Sequence, residues 1–477
     1  MFDVANNAVS AAVDAGATYA DARVMVRVER VIGVKNEDVD DIRTAEVSGI
    51  GVRSLIGSSW GFAASADLDD ASNMGRQSVA IAHASARVAG APLELADVPM
   101  VDATYETPHT EDPFTVSLGE QADLLIEATR VMGESDAVRI ASGSMRFWKT
   151  DKWFVSSQGS RIHQRLLESG GGISALAIGE SDSQIRSYPQ SFGQFHTGGY
   201  EVIRGFDFLA HAPRLADEAS ALLSADVCPE GDRDLILEGS QLALQIHESV
   251  GHAIELDRIL GWEAAFAGTS FLDLAELGSF RYGSDLMNIT ADATVPGALG
   301  TFGYDDEGTP AQRVDIVREG TWVGVLSGRD SAARAGLHPG GMVRADGPHR
   351  LPMVRMTNVG LLPGPHSLDE IIADTENGVL METTRSWSID DKRLNFQFGC
   401  ELGWEIKKGR KGRMLKNPTY TGITPQFWAS MDRLSGGDEW IHWGTPNCGK
   451  GQPMQVGHTG HSAAPARFSD VRIGIAT

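Results

Sequence analysis

The spacing of apolar positions changes several times along the chain, and each change predicts an element. Val4, Ala5, Val9, Ala12 and Val13 share one helical face and Gly16 ends the run, so a helix opens the chain. Tyr19–Lys35 is then rich in Val and Arg with partial alternation, Ile42–Leu55 reads alike, and Ser58–Ser65 follows a Gly-Ser turn, the pattern of a β-meander. Leu68–Ala89 returns to helical periodicity in an Ala-rich, Ser-capped stretch able to cover one face of that sheet. Pro92–Pro113 carries four Pro and little periodicity, which predicts an extended connector ahead of a helix over Ser117–Met132.

Strand-like, Gly/Ser-punctuated signals fill Val138–Tyr188, and Phe206–Leu223 is helical again beyond Pro213. Cys228-Pro229-Glu230-Gly231-Asp232 has the turn chemistry of a linker, and Arg233–Leu237 begins a strand that feeds a further helix. From Gly278 onward, short apolar runs with Gly and Pro at close spacing predict a mostly β region. The expected fold class is α+β: a mixed N-terminal domain over 1–227 and a β-rich, barrel-like C-terminal domain over 233–477 that carries the helix. At 477 residues, two domains are the natural expectation.

That helix holds the chemistry. Gln245-Ile246-His247-Glu248-Ser249-Val250-Gly251-His252-Ala253-Ile254-Glu255 places two imidazoles and a carboxylate together, residue types suited to Zn²⁺ and to taking a proton from water. His247 and His252 are five residues apart, not four, and at 3.6 residues per turn the fifth position lies about 140° round from the first. A regular helix cannot aim both rings at one ion. Either the helix ends near Gly251 or a π-bulge absorbs the extra residue.

Two His need a third donor. Downstream Glu255, Glu263 and Glu276 are available, and so is a thiolate: Cys448 lies in the Gly/Pro stretch Trp443–Gly451, which has no apolar periodicity to bury it, whereas Cys228 and Cys400 read as packed small hydrophobes. The same stretch nearly spells a phosphate-binding loop, but Gly451 replaces the Ser or Thr that would hold Mg²⁺. His458 and His461 read as exposed loop residues with ligation as the alternative, and Asp305-Asp306-Glu307, beside Gly308-Thr309-Pro310, as a solvated turn.

Charge narrows the partners. The 41 Lys and Arg against 64 Asp and Glu leave a net charge of −23, which argues against nucleic acid and anionic membrane. Three Cys, with no basic-apolar leader and no run of 18 apolar residues, fit a cytoplasmic protein.

The stretch 247–257 resembles the H-E-x-x-x-H signature of the TldD/PmbA family of modulator-of-gyrase-type metallopeptidases. Gly303–Pro310, Pro352–Asn358, Lys416–Tyr420 and Cys448–Gln452 resemble family blocks in family order, while 387–403 and 458–461 lie outside them. With both the His pair and the late Cys, the chain is similar to the metal-bearing, TldD-like member. The resemblance implies zinc on His247, His252 and Cys448, with Glu248 as general base. It also implies a dimer, with a second copy or with a related metal-free PmbA/TldE-like subunit, enclosing the site. One thiolate among the donors would leave the ion a formal charge of +1 and make Glu248 the more important. The expected substrates are unstructured peptides or disordered protein segments, held extended along a sheet edge. Two rivals stand beside this: a silent subunit with a structural zinc closed by His458, and a peptide-binding module without turnover.

Overall fold

The computed structural model describes residues 1–87 and 92–474. Long β-branched runs build its first sheet, in which strands of 17 to 19 residues lie side by side: Tyr19–Lys35, Asp38–Ile56, Val138–Ser156 and Arg161–Ile178. Six strands follow the order Ser59–Ser65, Asp38–Ile56, Tyr19–Lys35, Val138–Ser156, Arg161–Ile178, Asp102–Glu106, and two short strands also pair with Arg161–Ile178. The first hairpin turns on Asn36 and Glu37, both at positive φ (49° and 69°), the two-residue geometry whose twist matches that of the strands. Asn36 also locks the next strand, its Oδ1 accepting from Ala141 N at 2.8 Å.

Helices cover this sheet in two groups. Phe2–Asp14 and Ala71–Ala86 bury Ala5, Ala8, Met74 and Val79 with Val24, Ile50 and Val52. They touch so closely that a Cβ on Gly75 would stand 2.2 Å from Ala8 O. Leu118–Gly133, capped by Ser117 Oγ accepting from Glu120 N at 3.1 Å, packs with Phe208–Ser224 over Met145, Phe147 and Ile173. The helix expected over Leu68–Ala89 is thus present as Ala71–Ala86, and its last expected residues, 88 and 89, lie outside the described residues. The Pro-rich connector contains the strand Asp102–Glu106. The last helix begins five residues before Pro213: buried Phe208 and Ala212 anchor its first turns and outweigh the bond that Pro213 cannot donate.

The second sheet closes on itself. Gly231–Leu237, Ala466–Ile473, Thr419–Ile423, Asn395–Lys407 and Asn377–Ile389 pair in a ring, the last returning to the first through a parallel pairing of Asp234–Leu237 with Gly378–Met381. The C-terminal region is therefore a five-stranded closed barrel, which removes its edges over the paired length. Its core holds Leu235, Leu237, Val379, Met381, Phe396, Tyr420, Phe468 and Ile473.

The acidic turn overturns an expectation. Asp305, Asp306 and Glu307 are not a solvated turn: all three are at most 4% exposed. Asp306 pairs with Arg23 at 3.2 Å and with Lys152, and Glu307 pairs with Arg53 at 3.1 Å, which itself holds Asp21 at 2.6 Å. Those cations stand on the first sheet, so the acidic turn plugs into it, a long-range partnership that local composition does not reveal.

Candidate metal centre

The barrel strand Gly231–Leu237 runs straight into the helix Gly239–Ile246, whose first turn is fastened by Glu238 accepting from Ser240 N at 2.8 Å. A ladder of buried amides then fixes the helix on the barrel. Thr384 Oγ1 donates to Gln241 Oε1 (2.7 Å), Gln241 Nε2 to Tyr420 Oη (2.9 Å), and Tyr420 Oη to Gln245 Oε1 (3.0 Å). Fully satisfied, such a network sets one orientation for the residues that follow.

Those residues are a π-turn over His247–Gly251, closed by His252 N donating to His247 O at 3.1 Å, an i→i+5 bond. The wider turn absorbs the extra residue in the H-E-x₃-H spacing and brings both rings to one side. Gly251 lets Met356 pack directly on this turn, since a Cβ there would meet Met356 Sδ at 2.1 Å.

Hydrogen bonds fix which ring nitrogen is bare. His461 Nδ1 lies 2.9 Å from Val359 O and can only donate to it, so His461 Nε2 accepts, and His247 Nδ1, 2.8 Å away, donates to that acceptor. His252 Nδ1 donates to Glu255 Oε2 at 3.0 Å. Both His therefore turn a bare Nε2 away from these supports, the arrangement in which outer partners orient metal-ligating imidazoles. Burial pushes both imidazoles toward the neutral form, and His461 further still, with His247 adding to the effect.

Cys448 completes the group. It lies not in a loop but in the strand Ile441–Lys450, paired with Gln455–Ala463, with a register shift between Thr445 and Cys448. That hairpin excludes the phosphate-loop alternative, which needs a helix after the Gly-rich turn. Burial raises the thiol pKa, but Arg355, whose guanidinium also donates to Cys448 O, together with His252 holds it below its usual value. One donor atom each from His247, His252 and Cys448 lies within 4.8 Å of the others, and Cys448 Sγ is 3.7 Å from His252 Nε2. Tetrahedral zinc with ordinary bond lengths would set those two atoms about 3.6 Å apart.

The carboxylates divide by role. Glu248 Oε2 accepts from Arg393 Nη1 at 2.7 Å beside the three donors. Glu255 is spent on His252 and on Lys450 (3.3 Å), which also holds Asp257 at 2.8 Å. Glu263 lines a different cavity with Asp257 and Trp262, and Glu276 is exposed on a short 3₁₀ turn. His458 and His461 are strand residues, not loop residues: His458 bonds Glu168 at 2.9 Å and packs on Trp148, outside the donor group, and His461 supports His247. Sequence reasoning missed the supporting role of His461, hidden because strand pairing alone brings it to the helix. It also missed Arg393, which no motif marks.

A cleft of about 370 Å³ opens onto this group, walled by Phe192, Trp387, Ile389, Arg393 and Asn447. Three soft or borderline donors beside a buried carboxylate have the composition of a metallohydrolase site.

Comparison with known proteins gives the family. The PmbA/TldA metallopeptidase C-terminal domain matches residues 230–474, the central domain 111–225 and domain 1 residues 20–82. The chain belongs to this PmbA/TldD metallopeptidase family. It is 28% identical over 448 residues to a metalloprotease of Methanocaldococcus jannaschii, covering 93% of this chain and 94% of that one. It is 24% identical over 206 residues to a zinc metalloprotease TldD homolog of Saccharolobus solfataricus, covering 43% and 44%. Its fold matches a Thermotoga maritima protein described as a modulator of a DNA gyrase (TM-score 0.79, 15% identity, 99% of each chain). It also matches TldE from Thermococcus kodakarensis (TM-score 0.73, 15% identity, 98% and 99% of the two chains).

Proposed function

We propose that this chain is a zinc-dependent metallopeptidase that hydrolyses unstructured peptides or disordered segments, with His247, His252 and Cys448 as metal ligands and Glu248 as general base. The observation that carries the proposal is the convergence of one ring nitrogen from each of His247 and His252 and the buried Sγ of Cys448 within 4.8 Å, next to Glu248. A divalent ion held by that set would supply Lewis acidity, lowering the pKa of a water and polarising a scissile carbonyl. Glu248 takes the water proton as the oxygen bonds to the carbonyl carbon, then gives it to the departing amine. His461 and Glu255 keep the two imidazoles in the ligating tautomer.

The cleft supports an extended substrate. Trp387, Ser388 and Ile389 line it, and this end of the strand Asn377–Ile389 pairs only with Asn395–Lys407, leaving one backbone edge without a strand partner among the described residues. A peptide added there gains main-chain hydrogen bonds with modest side-chain selectivity. The structural-zinc alternative loses its fourth ligand, since His458 is bound to Glu168.

The proposal includes a dimer, with a second copy or with a PmbA/TldE-like subunit, closing over the cleft; TldE shares this fold. The reading also keeps residues 1–227 and 233–477 as separate domains. Three free cysteines, one of them a proposed ligand, support the reading of a protein that works in the reducing cytoplasm. The test is hydrolysis of one protein, folded and denatured, and of its short peptides, by metal-stripped and zinc-restored enzyme, alone and with a TldE-like subunit. Zinc-dependent cleavage of the denatured form and the peptides is expected. Equal cleavage of the rigid folded form contradicts the closed chamber, and no cleavage in either assembly contradicts the activity.

A further inference from the structure

Arg393 has more donors than the structure uses. Its Nη1 is bonded to Glu248 at 2.7 Å, while its Nε is buried with no acceptor. A buried donor of a charged group left unpaired is costly, and among the seven arginines of the described residues whose Nε lacks an acceptor, only Arg393 lines the cleft of the three donors. The backbone around it is built with care. Arg393 sits at φ 65°, a strained choice for a side-chain-bearing residue, in a turn where Arg393 N donates to Asp390 O (2.9 Å), Leu394 N to Asp390 Oδ1 (2.8 Å) and Thr424 Oγ1 to Arg393 O (2.7 Å). The guanidinium lines the same cleft as His247, Glu248, His252 and Cys448.

A guanidinium that holds Glu248 through one N–H and lines the cleft with others has donors left for a second duty. The reaction supplies one. As the water oxygen bonds to the carbonyl carbon, the C=O π pair moves onto the carbonyl oxygen and the water proton passes to Glu248. When the C–N bond breaks, that electron pair re-forms the C=O bond and the proton leaves with the amine. Between these events the oxygen is negative and needs a donor already in place.

We propose that Arg393 is a catalytic residue, which anchors Glu248 through Nη1 and donates from its remaining N–H groups to the scissile carbonyl oxygen as that oxygen becomes negative. The inference rests on the peptidase reading and goes beyond it by assigning the oxyanion donor.

The experiment uses zinc-loaded Arg393→Ala and Arg393→Lys with one peptide in free-acid and C-terminally amidated forms, and a phosphonamidate peptide as transition-state analogue. Lys keeps a charge near Glu248 without the Nε donor and serves if the Ala variant does not fold. The expected result is a fall in kcat of about 10²–10³-fold with KM changed little. Zinc content should stay at the wild-type level, analogue affinity should weaken in parallel with kcat/KM, and added guanidinium should partly restore the Ala variant. A rise in KM confined to free-acid peptides, with kcat kept, would instead make Arg393 a clamp for a substrate carboxylate. A loss of kcat with unchanged analogue binding and no guanidinium rescue would reduce it to a positioning residue for Glu248. Either outcome overturns the proposal, whereas a wild-type protein without zinc-dependent hydrolysis defeats the parent reading.

Discussion

Around the turn Gly303–Pro310, buried charges meet their opposites: Asp306 faces Arg23 and Lys152, and Glu307 faces Arg53. Even Asp305, with no cation of its own among the described residues, accepts from the backbone N–H groups of Glu307, Thr309 and Val343. Around the π-turn His247–Gly251 the pattern is reversed. Outer partners there are spent on turning the imidazoles, and the bare Nε2 atoms and the Cys448 thiol face one another. A polar cluster satisfied from within joins parts of the fold, and a cluster whose free lone pairs converge is prepared for something brought from outside. Burial alone does not separate the two, since both sets are almost fully covered.

Substitutions should separate them by what is lost. Glu248→Ala should keep the fold and the zinc while peptide hydrolysis falls by at least about 10²–10⁴-fold, because a proton acceptor is removed and no ligand is touched. Turnover near wild type would end the general-base assignment. Cys448→Ala should lose stoichiometric zinc, read by metal analysis after dialysis. If zinc stays, another donor is in play, and Glu255, which already touches His252 through its Nδ1, is the first of the downstream carboxylates to replace.

The acidic turn should answer in stability. Asp306→Ala leaves Arg23 and Lys152 buried without their carboxylate, at a cost of about 3–5 kcal/mol. Chemical denaturation should show that loss, with zinc stoichiometry of the folded fraction unchanged. A variant as stable as wild type would show that the turn does not join the sheets.

The smallest effect is on acid stability. Burial opposes ionisation of Asp306, but Lys152 and Arg23 outweigh it and hold its carboxyl at about 2, against 3.8 unperturbed. Its folded pKa is depressed, so its contribution is complete above about pH 4 and is lost as the pH falls toward about 2, on the order of 2 kcal/mol. Asp306→Asn should flatten that part of the stability profile, and an unchanged acid limb would contradict the pairing.

Much of this was legible in the residues before any coordinates. Five-residue spacing between His247 and His252 demanded a break or a π-turn by helical geometry alone, and the turn is there. The strand Gly231–Leu237 feeding the helix was legible from its apolar run and the turn residues before it. Cys448 was singled out as chemical, but its strand was missed, because Gly444, Pro446 and Gly449 weaken every local β signal while pairing with Gln455–Ala463 overrides them. The acidic turn was misread for a related reason. Its partners Arg23, Arg53 and Lys152 lie 154 to 283 positions away, and local composition holds no trace of them. Arg393 was invisible because its role depends on a left-handed turn placed beside the helix only by barrel closure.

The central claim is that two imidazoles and one thiolate of this chain hold the metal and leave room for water and substrate. Zinc K-edge X-ray absorption on the zinc-loaded protein and on Cys448→Ala reads that ligand set directly. The account predicts one zinc per chain with two nitrogen donors, one sulfur and a remaining light-atom position not filled by protein, and loss of the sulfur shell in the variant. A site without sulfur, or one closed by four protein ligands, would contradict it.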